Sequence, residues 1–225
     1  MADDSTPEYL IKAEKALDAE KERVLSYLNP LTEMKLMAVI ESELLEKKKM
    51  ALVDKEGSGM RVLLLNDRIQ DLSRMFLLFS RLKENGLTPM ADIFREHICA
   101  LGFEIIEARR ARIENLKEKE KETSHDPQLV KDLITLHDKY LDMVAVQFSG
   151  HLLFQKALRD AFSEVVNRDV GVVKNADLMS SFCDEILKKG GEKLGGESEI
   201  EDFLEKIVQL FSYISDKDIF AEIYR

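Results

Sequence analysis

Four histidines, two cysteines, paired glycines and adjacent carboxylates are the residues of this chain whose types and spacing come nearest to supporting chemistry. His97, His125, His137 and His151 form no HExxH or other ligand pair, and each falls on a separate predicted helix or loop, so no metal ligand is assigned. Gly190-Gly191 and Gly195-Gly196 resemble a phosphate loop only in part: the element before them reads as helix, and Glu197 stands where such a loop needs Lys. Gly57-Ser58-Gly59 is followed by Met60 and also lacks the Lys-Ser/Thr pair, which leaves a flexible connection. Cys99 and Cys183 sit inside apolar helical patterns with no CxxC partner, as small buried hydrophobes of a reducing compartment do. The Ser, Cys and His candidates for a nucleophile lack the strand-turn-helix setting that would expose one. Asp184-Glu185 and Asp216 with Asp218 fall near helix ends, where they complement the dipole or face water. Lys47-Lys48-Lys49, with Glu41, Glu43, Glu46 and Asp54 nearby, reads as the polar face of a helix. No catalytic, cofactor-binding or metal-binding residue is expected, and the chain is not expected to be an enzyme.

The elements that would have to position such residues are all predicted helices. With 225 residues and 45% apolar side chains the chain can bury a substantial core, and its charged fraction of 34% with only 4 Pro and 10 Gly favours helix. Thr6 and Pro7 start a first helix of about 22 residues, hence about 33 Å, which carries Leu10, Leu17, Val24 and Leu28 until Asn29-Pro30 stops it. Thr32 caps a second with Leu36, Val39, Ile40, Leu44 and Leu45, running to Gly57-Ser58-Gly59; Met60 to Leu65 forms a short third. In the fourth, Ile69, Leu72, Met75, Phe76, Phe79 and Leu82 share one face, and Gly86 ends it. Leu87-Thr88-Pro89 opens a fifth through Met90, Ile93, Phe94, Ile98, Leu101 and Ile105. From Arg109-Arg110 through Glu114 to Glu122 the sequence reads as a solvated helix extension or a frayed linker.

A second set of five begins at Ser124-His125-Asp126-Pro127. Its helices carry Leu129, Leu133, Leu136, Tyr140, Met143, Val144 and Phe148; then, past Gly150, Phe154, Leu158, Phe162 and Val165. An Asn175-capped helix follows with Leu178, Phe182 and Ile186, then one with Ile200, Phe203, Leu204, Ile207, Phe211 and Ile214, and a last from Ser215-Asp216 with Ile219, Phe220, Ile223 and Tyr224. The two sets answer each other: Leu72 to Ser80 lines up with Leu204 to Ser212, and Asp92-Ile93-Phe94 with Asp218-Ile219-Phe220, an offset of about 120 to 130 residues. The expectation is an all-α fold, a short α-solenoid of two tandem five-helix units at 1–122 and 123–225. Stacked units share a continuous core and act as a spacer. The final helix either folds back completely or leaves an apolar edge for a partner.

The formal charge of -10 opposes nucleic-acid binding, which draws its affinity from Lys and Arg. The acidic start Met1-Ala2-Asp3-Asp4 lacks an apolar leader, and apolar runs such as Val62 to Leu65 are far shorter than a bilayer span, so cytosol or nucleus and no membrane partner are expected.

Leu133-Ile134-Thr135-Leu136-His137-Asp138-Lys139-Tyr140, Gln147-Phe148 and Phe154-Gln155-Lys156-Ala157-Leu158-Arg159-Asp160-Ala161-Phe162 resemble the repeat region of cullins. So do Phe182 to Lys189 and Tyr213 to Glu222, most like plant cullins of the SCF class, and upstream Tyr9 to Glu14, Glu22-Arg23-Val24 and Asp71 to Met75. The resemblance implies a stalk of five-helix cullin repeats, the second and third of the family's series, in the scaffold of cullin-RING ubiquitin ligases. It implies protein partners, either ligase components or substrates, and no catalysis by the chain itself. Family members also carry a first repeat that docks the adaptor and a globular half that binds the RING-box subunit and carries a modified lysine. Neither has a counterpart in these residues, so RING-box binding is not expected of them. The alternative is a stand-alone truncated module, decoy or inactive; an unrelated helical tether is a third reading.

Overall fold

The structure, a computed structural model, describes residues 4–27, 29–82, 85–114, 127–168 and 197–215. The chain is all-α, and every regular element among those residues is helical: α1 (Thr6–Tyr27), α2 (Pro30–Leu44), α3 (Lys49–Val53), α4 (Met60–Leu65), α5 (Ile69–Phe79), α6 (Thr88–Glu114), α7 (Pro127–Val146), α8 (Leu152–Val166) and α9 (Glu197–Phe211). The Asn175 helix and the helix after Ser215 lie outside the described residues, as do the glycine pairs at 190 and 195, His125 and Cys183.

The first helix has the expected 22 residues but a different cap. Ser5 and Glu8 form a capping box, in which the Ser5 backbone N–H and hydroxyl both donate to Glu8 Oε2 at 3.0 and 2.9 Å. Those bonds, the backbone one foremost, hold the Glu8 carboxyl below its ordinary range. Thr6 is instead buried and donates its hydroxyl to the Leu52 carbonyl at 3.0 Å, while its N–H reaches Ser58 Oγ at 3.1 Å. The helix start is thereby tied to α3 and to the turn after it, about fifty residues away.

The second helix is shorter than its apolar pattern. It ends at Leu44, where Tyr9 Oη donates to the last carbonyl at 2.8 Å, and a 3-10 turn at Glu46–Lys48 leads into α3. Leu45 is fully buried, and Lys49 is turned inward to Glu46 at 3.1 Å and to the Asn85 carbonyl at 3.2 Å. The lysine cluster is therefore not one solvated face: Lys47 pairs with Glu43, Lys48 lies over the Tyr9 ring, and Lys49 is interior.

The fourth expected helix stops at Phe79, so Leu82 lies beyond it. Asn85, at φ 51°, takes the left-handed conformation that Gly86 was expected to supply. Gly86 serves another purpose, since a Cβ there would stand 2.3 Å from the Phe79 carbonyl oxygen. α6 runs to Glu114, and its inward face continues Ile98, Gly102, Ile106, Arg109 at helical spacing. Arg109 is fully buried, contrary to a solvated run from that point.

Two compact units divide the chain: Met1–His97 with Met143–Ala157, and Ile98–Asp142 with Leu158–Arg225. They interleave along the sequence, whereas the expected repeats are consecutive. Compactness and duplication are different properties, and their divisions need not coincide.

Candidate interaction surfaces

The core of the first unit, largely aliphatic, contains an aromatic cluster. Phe148 stacks on Phe154 at 4.0 Å between centroids, and Phe76 and Phe94 meet that pair at 5.4 to 5.8 Å in tilted or edge-on contacts. Gly150, at φ 62°, turns the chain between Phe148 and Phe154, and His151 Nδ1 accepts the Leu153 N–H at 3.2 Å, capping α8. His151 is a structural cap.

The same unit has an apolar helix without a buried face. Among the described side chains of α2 none is buried; Met34 is 77% and Val39 58% exposed, and at the end of α1 Leu25 and Tyr27 are 69% and 85% exposed. Leu36, Met37, Ile40 and Leu44 of the same helix are half-buried, so Met34 and Val39 mark its open side. Nearby in the chain, a groove of about 500 Å³ is lined by Ser5, Glu8, Gly57, Asn66, Arg68 and Asp71. Its charges are satisfied internally, Asp71 being clamped by Arg68 at 2.7 Å and by Arg74 at 3.2 Å, with Arg74 reaching Glu14 at 2.9 Å.

The second unit gathers polar groups inside. His137 is buried on α7, with Nε2 3.0 Å from Tyr213 Oη and Nδ1 3.7 Å from Asp138 Oδ1. Burial pushes the imidazole below its ordinary value, against the opposing pull of Asp138. Burial likewise pushes the Tyr213 phenol up. Lys206 of α9 bridges Asp138 at 3.1 Å and Asp202 at 2.8 Å, and those two bonds raise its pKa. Cys99 is buried, its thiol 3.6 Å from Glu164 Oε2 and 3.9 Å from the Ala161 carbonyl. Gly102 lets α6 meet α8, because a Cβ there would come within 2.5 Å of Val165 Cγ2.

Of the three described histidines, His137 and His151 take the partners given above, and His97 is half-buried on α6. The pairing of His137 with Tyr213 had no local signal, since 76 residues separate them. The capping box did: Ser5-Thr6-Pro7-Glu8 spells it. Among the described residues no group of three or more His, Cys, Asp and Glu side chains is placed to hold a metal ion, and no helix is long and apolar enough to cross a membrane.

Compared with known proteins, residues 1–225 match the family described as the cullin alpha solenoid domain. The chain is 44% identical to Cullin-1 of Oryza sativa subsp. japonica over 94% of its own length and 29% of that protein. It is 43% identical to Cullin-2 of Arabidopsis thaliana over 99% of its length and 30% of that protein. Against Cullin-3B of Arabidopsis thaliana the identity is 34%, over 97% of this chain and 28% of the relative. The chain spans about 30% of the length of the relatives it matches.

Proposed function

This chain belongs to the cullin family, and from that premise we propose that it is a non-catalytic scaffold segment of cullin-RING, SCF-type ubiquitin ligases, a length of helical solenoid that spaces protein partners. The observation carrying this reading is the match of all 225 residues to the solenoid domain, at 43 to 44% identity to two plant cullins. Supporting it, the open apolar face of α2 offers contact area without a reactive centre. The repeats are assigned to 1–122 and 123–225, and the place of work to cytosol or nucleus. Partners are ligase components or substrates rather than nucleic acid, given the net charge of -10. RING-box binding is not assigned to these residues, because the similarity covers the solenoid only.

The test is to mix the purified chain with a RING-box subunit and a ubiquitin-charged conjugating enzyme. Size exclusion is expected to give separate peaks, and the charged enzyme is expected to discharge at its unassisted rate. Accelerated discharge by the chain alone would overturn a non-catalytic scaffold; a stable complex with the RING-box subunit would overturn the assignment of that contact to other residues.

A further inference from the structure

We propose that the open side of α2 pairs with the same side of a second copy of this chain, the two helices running antiparallel about a two-fold axis at Val39. Among the described side chains of α2, Thr32, Met34, Lys35, Ala38, Val39 and Glu43 are exposed, while Leu36, Met37, Ile40 and Leu44 are half-buried on the other side. At about 100° per residue, Lys35 and Glu43 lie about 40° to either side of Val39, one turn before it and one turn after. Val39, itself 58% exposed, is therefore the midpoint of a short surface stripe with a cation at one end and an anion at the other.

That order makes the stripe complementary to itself in one direction only. Across a two-fold pair, residues equally distant from the axis meet. With the helices antiparallel, Lys35 of each copy faces Glu43 of the other, so the contact is made twice. The two valines then meet at the centre beside Ala38, whose small side chain lets the helices approach. Parallel helices would set Lys35 against Lys35 and Glu43 against Glu43, and the like charges oppose that arrangement. Glu43 already pairs with Lys47 one turn on, but both side chains are more than half exposed, so sharing or exchanging that partner costs little.

Charge sets the direction of this pairing, and apolar area sets its strength. Val39 and Ala38 at the centre, with Met34 at the border, offer less than the about 800 Å² per partner of a standard stable interface. The pair is therefore transient, with a Kd on the order of 10–100 μM. A paired chain presents each of its other surfaces twice, so an assembly that contacts both copies is held by avidity, and breaking the pair lowers its capture even where it does not touch α2. The pairing goes beyond the scaffold reading and does not rest on it.

The test is sedimentation equilibrium of the intact chain over about 2 to 200 μM, a span set around that Kd. The weight-average mass is expected to rise from 25.8 kDa towards twice that value. Lys35→Glu and Glu43→Lys change exposed positions, circular dichroism checks that each variant stays folded, and each alone is expected to weaken the pair on the order of tenfold. The double variant rebuilds both contacts with their signs exchanged, and an equimolar mixture of the two single variants forms them between unlike copies. Both are expected to associate within about threefold of the wild type. A wild-type chain that stays at monomer mass throughout, as it would if a different protein covered α2, would overturn the pairing. So would single variants that pair as tightly as the wild type, or a double variant no tighter than the single ones.

Discussion

The two units draw their cores from the same kind of amphipathic helix and close them by different chemistry. In the first, Phe76, Phe94, Phe148 and Phe154 meet ring to ring, with the His151 ring edge-on to Phe76 and Phe154 at their margin. In the second, Phe162 and Tyr213 surround a histidine, and the seat of α9 depends on hydrogen bonds among His137, Asp138, Lys206 and Asn167. Aromatic packing is tolerant of pH and salt and sensitive to lost volume. A polar network, here with only His137 buried, is sensitive to which partner is missing. The contrast is between a joint closed by ring packing and one closed by hydrogen bonds and an ion pair.

The largest expected effect tests the joint closed by ring packing. Phe154→Ala removes the ring stacked on Phe148 from a fully buried site, and urea unfolding should show a loss of about 3–5 kcal/mol. A loss below about 1 kcal/mol would mean that the cluster collapses around the gap and is no keystone of the first unit. Gly102→Ala probes the second unit by volume rather than charge. Alanine normally favours a helix, but here its methyl meets the buried Val165 side chain, so a destabilisation of about 1–3 kcal/mol is expected. Adding Val165→Ala should show positive coupling between the two positions in a double-mutant cycle.

Thr6→Val asks whether the first unit also relies on a polar tie. The Leu52 carbonyl would lose its buried hydroxyl donor, and the unfolding free energy should fall by about 1–2 kcal/mol, less than for Phe154. The smallest effect belongs to the surface. Arg61 and Glu96 form a 2.6 Å pair with both side chains about half exposed, and Arg61→Ala is expected to cost under about 1 kcal/mol and to lose even that in high salt.

The sequence made the long regular helices plain. The first helix and the short Met60 to Leu65 were legible because apolar spacing and breakers agree there, although Ser5 and not Thr6 caps the first. The break after Leu44 was not, since Glu and Lys are good helix formers and continue the pattern across a turn set by the burial of Leu45 and Lys49. Arg109 was misplaced for a related reason: local charge density predicts solvent, while its position three residues after Ile106 puts it on the inward face. His137 read as one isolated histidine among four, because its partner Tyr213 follows a different helix and no short-range spacing links them. Gly102 carried no mark of its role at all. A glycine within a helical pattern shows its use only when the neighbouring helix is in place. The open face of α2 was not legible, since Leu36, Val39, Ile40, Leu44 and Leu45 read as one broad apolar stripe, of which Val39 is 58% exposed.

Quantitative affinity purification tests the scaffold reading most directly: the tagged chain is compared with its Met34→Asp, Val39→Asp double variant, whose changes fall on exposed positions of α2. The account predicts that ubiquitin-ligase subunits are enriched with the wild-type chain and depleted with the variant, while both remain folded. Ligase subunits absent from the wild-type eluate, or retained equally by the folded variant, would contradict a scaffold that works through that face.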